Sequence, residues 1–292
     1  MTDQDWLAER FEQHRPRLRA VAYRMLGSLG EADDAVQDAW LRVSRADTSE
    51  VENLGAWLTT IVARVALNTL RSRNMRREQP FDVHLPDPVV DPADGTNPEH
   101  EALLADSVGL ALLVVLETLS PAERLAFVLH DMFGVPFEQI APIVERSAET
   151  TRQLASRARR RVRGSAPVPN ASLTEQWKVV DAFLAAARNG DFEALVAVLD
   201  PDVVLRADGG MTGLSHRAQG AEAVASQAKM WSRAGLTIRR ALVNGAAGLV
   251  SERDGKPFSV GAFTIKDGKI VELDFLVDPE RLAQLDLTVL AG

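Results

Sequence analysis

Between Ser147 and Arg163 the chain reads Ser147-Ala-Glu-Thr-Thr-Arg152-Gln-Leu-Ala-Ser-Arg157-Ala-Arg159-Arg160-Arg161-Val-Arg163. The Ser147 hydroxyl is placed to accept an orphan N–H at the start of a helix. Ala148, Thr151, Ala155, Ala158 and Val162 recur at steps of three and four, so one face can pack. The opposite face carries Glu149, Arg152, Gln153, Ser156, Arg157 and Arg160. A packed helix with one cationic, hydrogen-bonding face has the physical form of a major-groove reader. The plainer alternative is a solvated surface helix.

Two earlier segments also place polar groups at helical spacing. In 31–43, Ala35, Val36, Ala39 and Val43 can face a core, while Asp34, Gln37, Asp38 and Leu41 share the other side. An acidic face with one exposed leucine suits a basic, helical partner, though a merely solvated face has the same pattern. In 53–77, Trp57, Ile61 and Val65 read as an apolar stripe and Thr60, Arg64, Asn68 and Arg71 as a polar one. The arginines there, down to Arg76 and Arg77, could neutralise phosphates, and the amides and hydroxyls could read bases.

The elements that must carry these side chains follow from local signals. Ser120-Pro121-Ala122-Glu123 is a capping box with proline at the first helical position. Leu125, Val128 and Leu129 continue that helix and Gly134 breaks it. Pro136 opens a short helix with Phe137, Ile140, Ala141 and Val144 on its apolar face, and the basic helix follows. Helix, turn, short helix, tight turn and basic helix make a helix-turn-helix arrangement.

The whole chain of 292 residues carries a net charge of -8, which by itself argues against nucleic acid. The acids at 78, 82, 87, 91, 94, 99, 101 and 106, with no Lys or Arg among them, account for a charge of -8 in one segment. The remainder is near neutral, with arginines gathered at 64–77 and 152–163. Every lysine lies after residue 170, a compositional shift that marks a further domain. There is no cysteine, which excludes disulfides and thiolate sites. No run is long and apolar enough for a membrane span and the N-terminus is charged, so a cytoplasmic protein is expected.

Four stretches result: 1–77 helical, 78–105 an acidic linker rich in Pro and Asp, 106–164 helical, and 173–292 a final domain. The last opens on an amphipathic helix through Trp177, Val180, Phe183, Leu184 and Ala187. Strand patterns follow at Val203–Arg206, Leu236–Val243, Gly248–Glu252, Phe258–Ile265 and Ile270–Phe275, with hairpin signals at Asp254-Gly255 and Asp267-Gly268. Helices and then an antiparallel meander imply an α+β domain after two all-α domains.

With these motifs in this order, the first 164 residues resemble a sigma factor of the extracytoplasmic-function type, the smallest class of the sigma-70 family. Asp34, Gln37, Asp38 and Leu41 match that family's core-polymerase docking helix. Asn53, Trp57, Thr60, Arg64, Asn68 and Arg71 fall on the part that opens and reads the minus-ten element. Leu119 to Arg124 and Thr150 to Arg161 match the domain that reads the minus-thirty-five element. The resemblance implies that Glu149, Thr150, Arg152, Gln153, Ser156 and Arg157 lie near that groove, while Arg159, Arg160, Arg161 and Arg163 anchor phosphates. Two positions depart from the pattern. The tight turn usually carries glycine, and here it is Glu145; Pro142 sits inside the short helix, which is expected to kink or end early.

The last third resembles the SnoaL-like fold, a curved sheet with helices forming a cone-shaped barrel. A subgroup of these sigma factors carries such an extension in place of a separate anti-sigma protein. Its markers are a linker motif of the Trp-Leu-Pro-Glu-Pro kind, an Asp-Gly-Gly-Gly motif and an Asn-Pro-Asp-Lys-Leu motif. Here they read His84-Leu-Pro-Asp-Pro88, Asp208-Gly-Gly-Met211 and Asp278-Pro-Glu-Arg-Leu282, imperfect matches to all three. The resemblance marks Leu85, Pro86, Asp87, Pro88, Asp208, Gly209, Gly210, Asp278, Pro279, Arg281 and Leu282 as regulatory contacts. It also implies core RNA polymerase, at its clamp, and promoter DNA as partners, a monomer within the holoenzyme, and no membrane partner. The acidic linker could lie against the cationic faces and compete with DNA.

Catalysis is the rival reading of the last domain, since cyclases and isomerases of this fold use a buried carboxylate base. Asp208, His216, Arg217 and Asp274 could line such a pocket, but the only tyrosine is Tyr23, in the first domain. No enzyme activity, cofactor or metal is therefore expected, and the pocket is left open to an unidentified small ligand. A ligand-sensing helix-turn-helix regulator explains the last two domains but leaves the acidic helix unused. A fused polyketide-cyclase-like enzyme explains only the last.

Overall fold

Small apolar residues at helical spacing let the first three helices approach closely. The structure is a computed structural model that describes residues 3–48, 51–75, 83–95, 100, 103, 109–165, 171–210, 215–231 and 234–287. Arg76, Arg77, Glu78, Asp82, Glu99, Glu101, Asp106 and Met211, named above, lie outside them. The chain divides into two compact units, Met1–Gln79 with Leu113–Ser165, and Pro80–Leu112 with Ala166–Gly292.

In the first unit, α1 (Asp3–Leu26), α2 (Leu29–Val43) and α3 (Leu54–Met75) pack on one another. The buried face of α2 is Ala32, Ala35, Val36, Ala39 and Val43, as its periodicity predicts. Ser28 caps it, and Phe11 of α1 meets Trp40 with ring centroids 5.0 Å apart. The buried face of α3 differs from the expected stripe. It is Leu58, Val62, Val65, Ala66 and Leu70, whereas Trp57 and Ile61 are only half-buried. Two apolar sets at helical spacing coexist on α3, and packing against α1 and α2 selects the one with more aliphatic positions.

The same unit takes in α4 (Leu110–Glu117) from Leu113 onward, then α5 (Pro121–Phe127), a π-helical turn Val128–Met132, α6 (Phe137–Val144) and α7 (Ala148–Ser165). The capping box at Ser120 and Glu123 forms as expected. Gly134, at φ 69°, lets the chain turn out of the π segment. α6 runs on to Val144, two residues past Pro142, so it does not end early. The proline is exposed, and the donor it lacks would serve only the Glu138 carbonyl. Glu145 takes the turn position itself, in the left-handed region at φ 58°, ψ 46°.

The second unit is a seven-stranded sheet packed against helices. Its elements are β1 (Val90–Pro92), α8 (Leu173–Asn189), α9 (Phe192–Val198), β2 (Leu199–Asp208), β3 (His216–Gln219), α10 (Ala221–Trp231), β4 (Thr237–Val243), β5 (Ala246–Arg253), β6 (Lys256–Lys266), β7 (Lys269–Leu276) and α11 (Pro279–Leu282). The strand order is β1-β4-β5-β6-β7-β2-β3. β4 to β7 form the expected meander, but β2 joins β7 in parallel, so the sheet is mixed. The Asp-Gly turns adopt positive φ at both residues, as does Asn244-Gly245. Leu205, Leu249, Phe263 and Leu273 of the sheet pack with Val180, Phe183, Leu195 and Val224 of the helices. Among the described residues, four elements of this unit escape the sequence pattern: β1, β3, α10 and α11. β1 lies within the Pro/Asp-rich segment, and Val90 pairs with Val243 of β4. Among the described residues, no helix is long and apolar enough to cross a membrane.

Candidate nucleic-acid interface

α7 buries Thr151, Leu154, Ala155 and Ala158 against its own module. Opposite them, Glu149, Arg152, Gln153, Ser156, Arg157 and Arg160 are exposed, and Thr150 is half-buried. The N-cap is real: Ser147 Oγ accepts the Thr150 amide at 3.1 Å. The arginines differ in what holds them. Arg159 donates to Asp131 at 2.5 Å and is half-buried. Arg161 reaches the Thr118 carbonyl at 3.3 Å, and Arg157 lies 3.4 Å from Glu123. Arg152 donates to Glu149 at 2.8 Å and sits over the Phe137 ring, 5.3 Å from its centroid. Both acidic neighbours of Arg152 are solvated, so that pairing is weak and readily exchanged for phosphate or base.

On α3, Trp57, Thr60, Ile61, Arg64, Asn68 and Arg71 fall along one line at steps of three and four. Arg64 and Asn68 are exposed; Trp57, Thr60, Ile61 and Arg71 are half-buried. Asn53 has a second role that spacing did not reveal. Its Oδ1 accepts the Ala56 amide at 3.0 Å and so caps the helix. On α2, Asp34, Gln37 and Asp38 are exposed, and Leu41 keeps 46% of its surface in solvent. An exposed leucine flanked by acids on a rigid helix is a ready contact for a basic partner.

Three sequence motifs distant in the chain meet in the second unit. Asp208, at the end of β2, is 1% exposed. Its Oδ2 accepts the Leu85 amide at 2.8 Å and Arg281 Nη1 at 2.7 Å, and its Oδ1 accepts the Gly210 amide at 3.0 Å. Arg281 also donates to the Leu85 carbonyl at 2.6 Å and to Asp87 Oδ1 at 2.5 Å. Asp278 caps α11 by accepting the Glu280 and Arg281 amides, with Pro279 at the first helical position and Leu282 buried. Burial alone would raise the Asp208 carboxyl. Hydrogen bonds from His84 and the Leu85 and Gly210 amides, with the Arg281 charge, outweigh it and hold the group below its ordinary range. Gly210 has φ 57°, and a Cβ there would run into the Asp278 carboxylate. The Gly209 amide donates to Ser215 Oγ at 3.2 Å.

Residues 83–92 thus form a strap on this unit. Leu85, Pro86, Pro88 and Val89 are buried, and the Val89 amide donates to Asn244 Oδ1 at 3.2 Å. Asp91 is wholly buried and bonds His100 at 2.6 Å. Two acids of the acidic segment, Asp87 and Asp91, are therefore engaged inside this unit.

Three of the four candidate pocket residues have separate partners. Asp208 belongs to the strap cluster. Asp274 is buried and pairs with Arg206 at 2.6 Å; His216 bonds Gln227, and Arg217 is exposed. Arg206 also holds Glu272 at 2.7 Å. Burial pushes the Glu272 carboxyl up to about 7, and Asp274 rises too, because one guanidinium cannot balance two buried carboxylates. Arg206 and Glu272 were missed in the sequence, since an Arg and a Glu on alternating strands look like solvated positions. Among the described residues no group of acids and histidines could hold a metal ion.

Two helical modules, one with an acidic helix and a mixed polar helix, the other a helix-turn-helix, define a protein of the sigma-70 class. Residues 10–76 match the Sigma-70 region 2 family model, 109–162 the Sigma-70 region 4 model, and 180–273 the SnoaL-like domain model. The chain is 35% identical to the probable ECF RNA polymerase sigma factor SigI of Mycobacterium tuberculosis, covering 98% of each. It is 37% identical to the ECF RNA polymerase sigma factor SigJ of the same organism, covering 93% of this chain and 91% of that one. The crystal structure of M. tuberculosis SigJ superimposes with a TM-score of 0.75 at 34% identity, covering 96% of this chain and 99% of the other. The chain belongs to the ECF RNA polymerase sigma factors and carries a fused C-terminal SnoaL-like domain.

Proposed function

We propose that three helix faces direct core RNA polymerase to a promoter, and that the C-terminal unit governs them through the strap. α2 docks on the polymerase clamp, with Leu41 as apolar anchor and Asp34, Gln37 and Asp38 as its acidic and polar surround. α3 captures unpaired minus-ten bases. Trp57 and Ile61 offer surface for stacking, Arg64 and Arg71 meet phosphates, and Asn53, Thr60 and Asn68 offer polar edges. α7 enters the minus-thirty-five major groove with Glu149, Thr150, Arg152, Gln153, Ser156 and Arg157 toward the bases. Arg160, Arg161 and Arg163 hold phosphates; Arg159 contributes less, because Asp131 already neutralises it. The observation that carries this reading is that α2 and α7 each bury one face and keep the opposite polar face in solvent.

The two elements are named for positions about 25 base pairs apart, which at about 3.4 Å per pair is on the order of 80 Å. In the structure α3 packs directly on α5 and α6. Arg124 donates to the Met25 carbonyl at 2.8 Å, and Arg17 to the Phe133 carbonyl at 3.1 Å. This packed form is a resting form, and engaging both elements separates the modules. The C-terminal unit acts through contacts rather than catalysis, because the buried acids Asp208, Glu272 and Asp274 of its sheet are held by Arg281 and Arg206.

Run-off transcription on a promoter library, with and without core polymerase, tests the reading. A sigma factor gives promoter-specific transcripts only with core. A ligand-sensing regulator would bind duplex DNA alone, and that result would replace this one. Leu41→Asp should abolish core binding while leaving helicity intact.

A further inference from the structure

One carboxylate in the helix-turn-helix module serves two elements, and we infer that Glu123 is a positioning residue for Arg157. The inference rests on the reading of α7 as the groove-facing helix. The two oxygens of Glu123 are divided between separate tasks. Oε2 accepts the Ser120 hydroxyl at 2.7 Å and the Ser120 amide at 3.3 Å, which closes the capping box of α5. Oε1 lies 3.4 Å from Arg157 Nε, on α7. Arg161 Nη1 stands 3.6 Å from Oε2 and adds a second cation to the same acid.

Exposure separates the two pairs of Glu123 from the other ion pairs of α7, and of its two cations only Arg157 lies on the proposed base-reading face. The Glu123 side chain is 11% exposed, so its charge is little screened, whereas Arg157 is 53% exposed and free at its tip. The acidic neighbours of Arg152 are themselves in solvent. Arg159 is half-buried against Asp131 and ties α7 to the π-helical turn. Arg157 is therefore the cation of the proposed base-reading face that is ion-paired at its Nε side with an anion outside bulk water. An arginine restrained this way loses less freedom when its fork meets a base edge, which favours the correct base over a loose phosphate contact.

The cap does not require the charge. Glutamine at the third helical position completes a capping box as glutamate does. Glu123→Gln therefore keeps the start of α5 and removes only the ionic hold on Arg157 and Arg161, while Glu123→Ala removes the cap and the charge together. The full-length variants, with Arg157→Ala and the double variant Arg157→Ala/Glu123→Gln, are assembled with core polymerase. Each is profiled on promoters randomised across the minus-thirty-five element, at two salt concentrations.

Glu123→Gln should melt at the wild-type temperature, while Glu123→Ala melts lower. Glu123→Gln should lose roughly tenfold discrimination at the base step where Arg157→Ala loses it, the order expected for one good base contact. Its salt dependence should steepen, because an unneutralised Arg157 gains a phosphate. The double variant should be no less discriminating than Arg157→Ala alone. A wild-type profile for Glu123→Gln beside an altered one for Arg157→Ala overturns the inference and leaves the groove reading standing. So does a lower melting temperature for Glu123→Gln, which would make the charge structural, or additive losses in the double variant. An unchanged profile for Arg157→Ala overturns the groove assignment of Arg157 and this inference with it.

Discussion

Replacing Arg281 by alanine should release the strap. In the folded chain Arg281 makes the side-chain contacts that join all three C-terminal motifs: Asp208 Oδ2 at 2.7 Å, Asp87 Oδ1 at 2.5 Å and the Leu85 carbonyl at 2.6 Å. Its side chain is 19% exposed and that of Asp208 is 2% exposed, so solvent screening is slight. Removing one member of a buried pair costs about 3–5 kcal/mol. Asp208 keeps the Leu85 and Gly210 amides, which places the expected loss at the lower end, about 3 kcal/mol. That corresponds to a roughly 150-fold rise in the population with the strap detached. The global melt of a two-unit chain would blur this, so the assay is amide hydrogen exchange at Leu85 and Val89, whose N–H groups bond Asp208 and Asn244. The pH dependence gives a second readout. The Asp208 carboxyl is depressed in the folded chain, so its contribution is present above the ordinary aspartate range and is lost as pH falls through the lower folded value. Without Arg281 that loss moves to higher pH. If exchange at both amides in Arg281→Ala stays within threefold of wild type, the strap is held by something other than this cluster and the reasoning fails.

Glu272→Gln should make the stability of the second unit less dependent on pH. With the folded carboxyl near 7, the folded chain holds a proton that the unfolded chain has released, so wild-type stability falls as pH rises from the ordinary glutamate range toward 7. Denaturant melts at pH 5 and pH 8 should show the wild type losing more than the variant, by at most about 3 kcal/mol; equal losses would contradict this. Glu145→Gly should stabilise the helix-turn-helix module by up to about 1 kcal/mol, because a Cβ at φ 58° is strained, and a lower melting temperature would show that the Glu145 side chain matters more. Arg160→Ala should weaken holoenzyme–promoter binding evenly across sequences and flatten the salt slope by about one unit. A changed base preference would move Arg160 from the phosphates to the bases.

Much of this protein is legible along the chain because its signals are local. The buried face of α2, the capping box at Ser120, and the Asp-Gly hairpins each depend on residues within a few positions of one another. The order of the acidic, mixed and basic helices was enough to assign the family. Tertiary structure decided whatever depends on distant partners. The face of α3 turned inward was chosen by α1 and α2, so Trp57 and Ile61 joined Arg64 and Asn68 on the accessible side. Val90 became a strand because β4, some 150 residues later, offers an edge. Asp208 and Arg281 mean little apart, and which arginines of α7 are held by Glu123 or Asp131 depends on how α5 and the π-helical turn are packed. Periodicity shows which side of an element can be buried, but pairing across the fold requires the energy of a contact that neither partner's neighbourhood encodes.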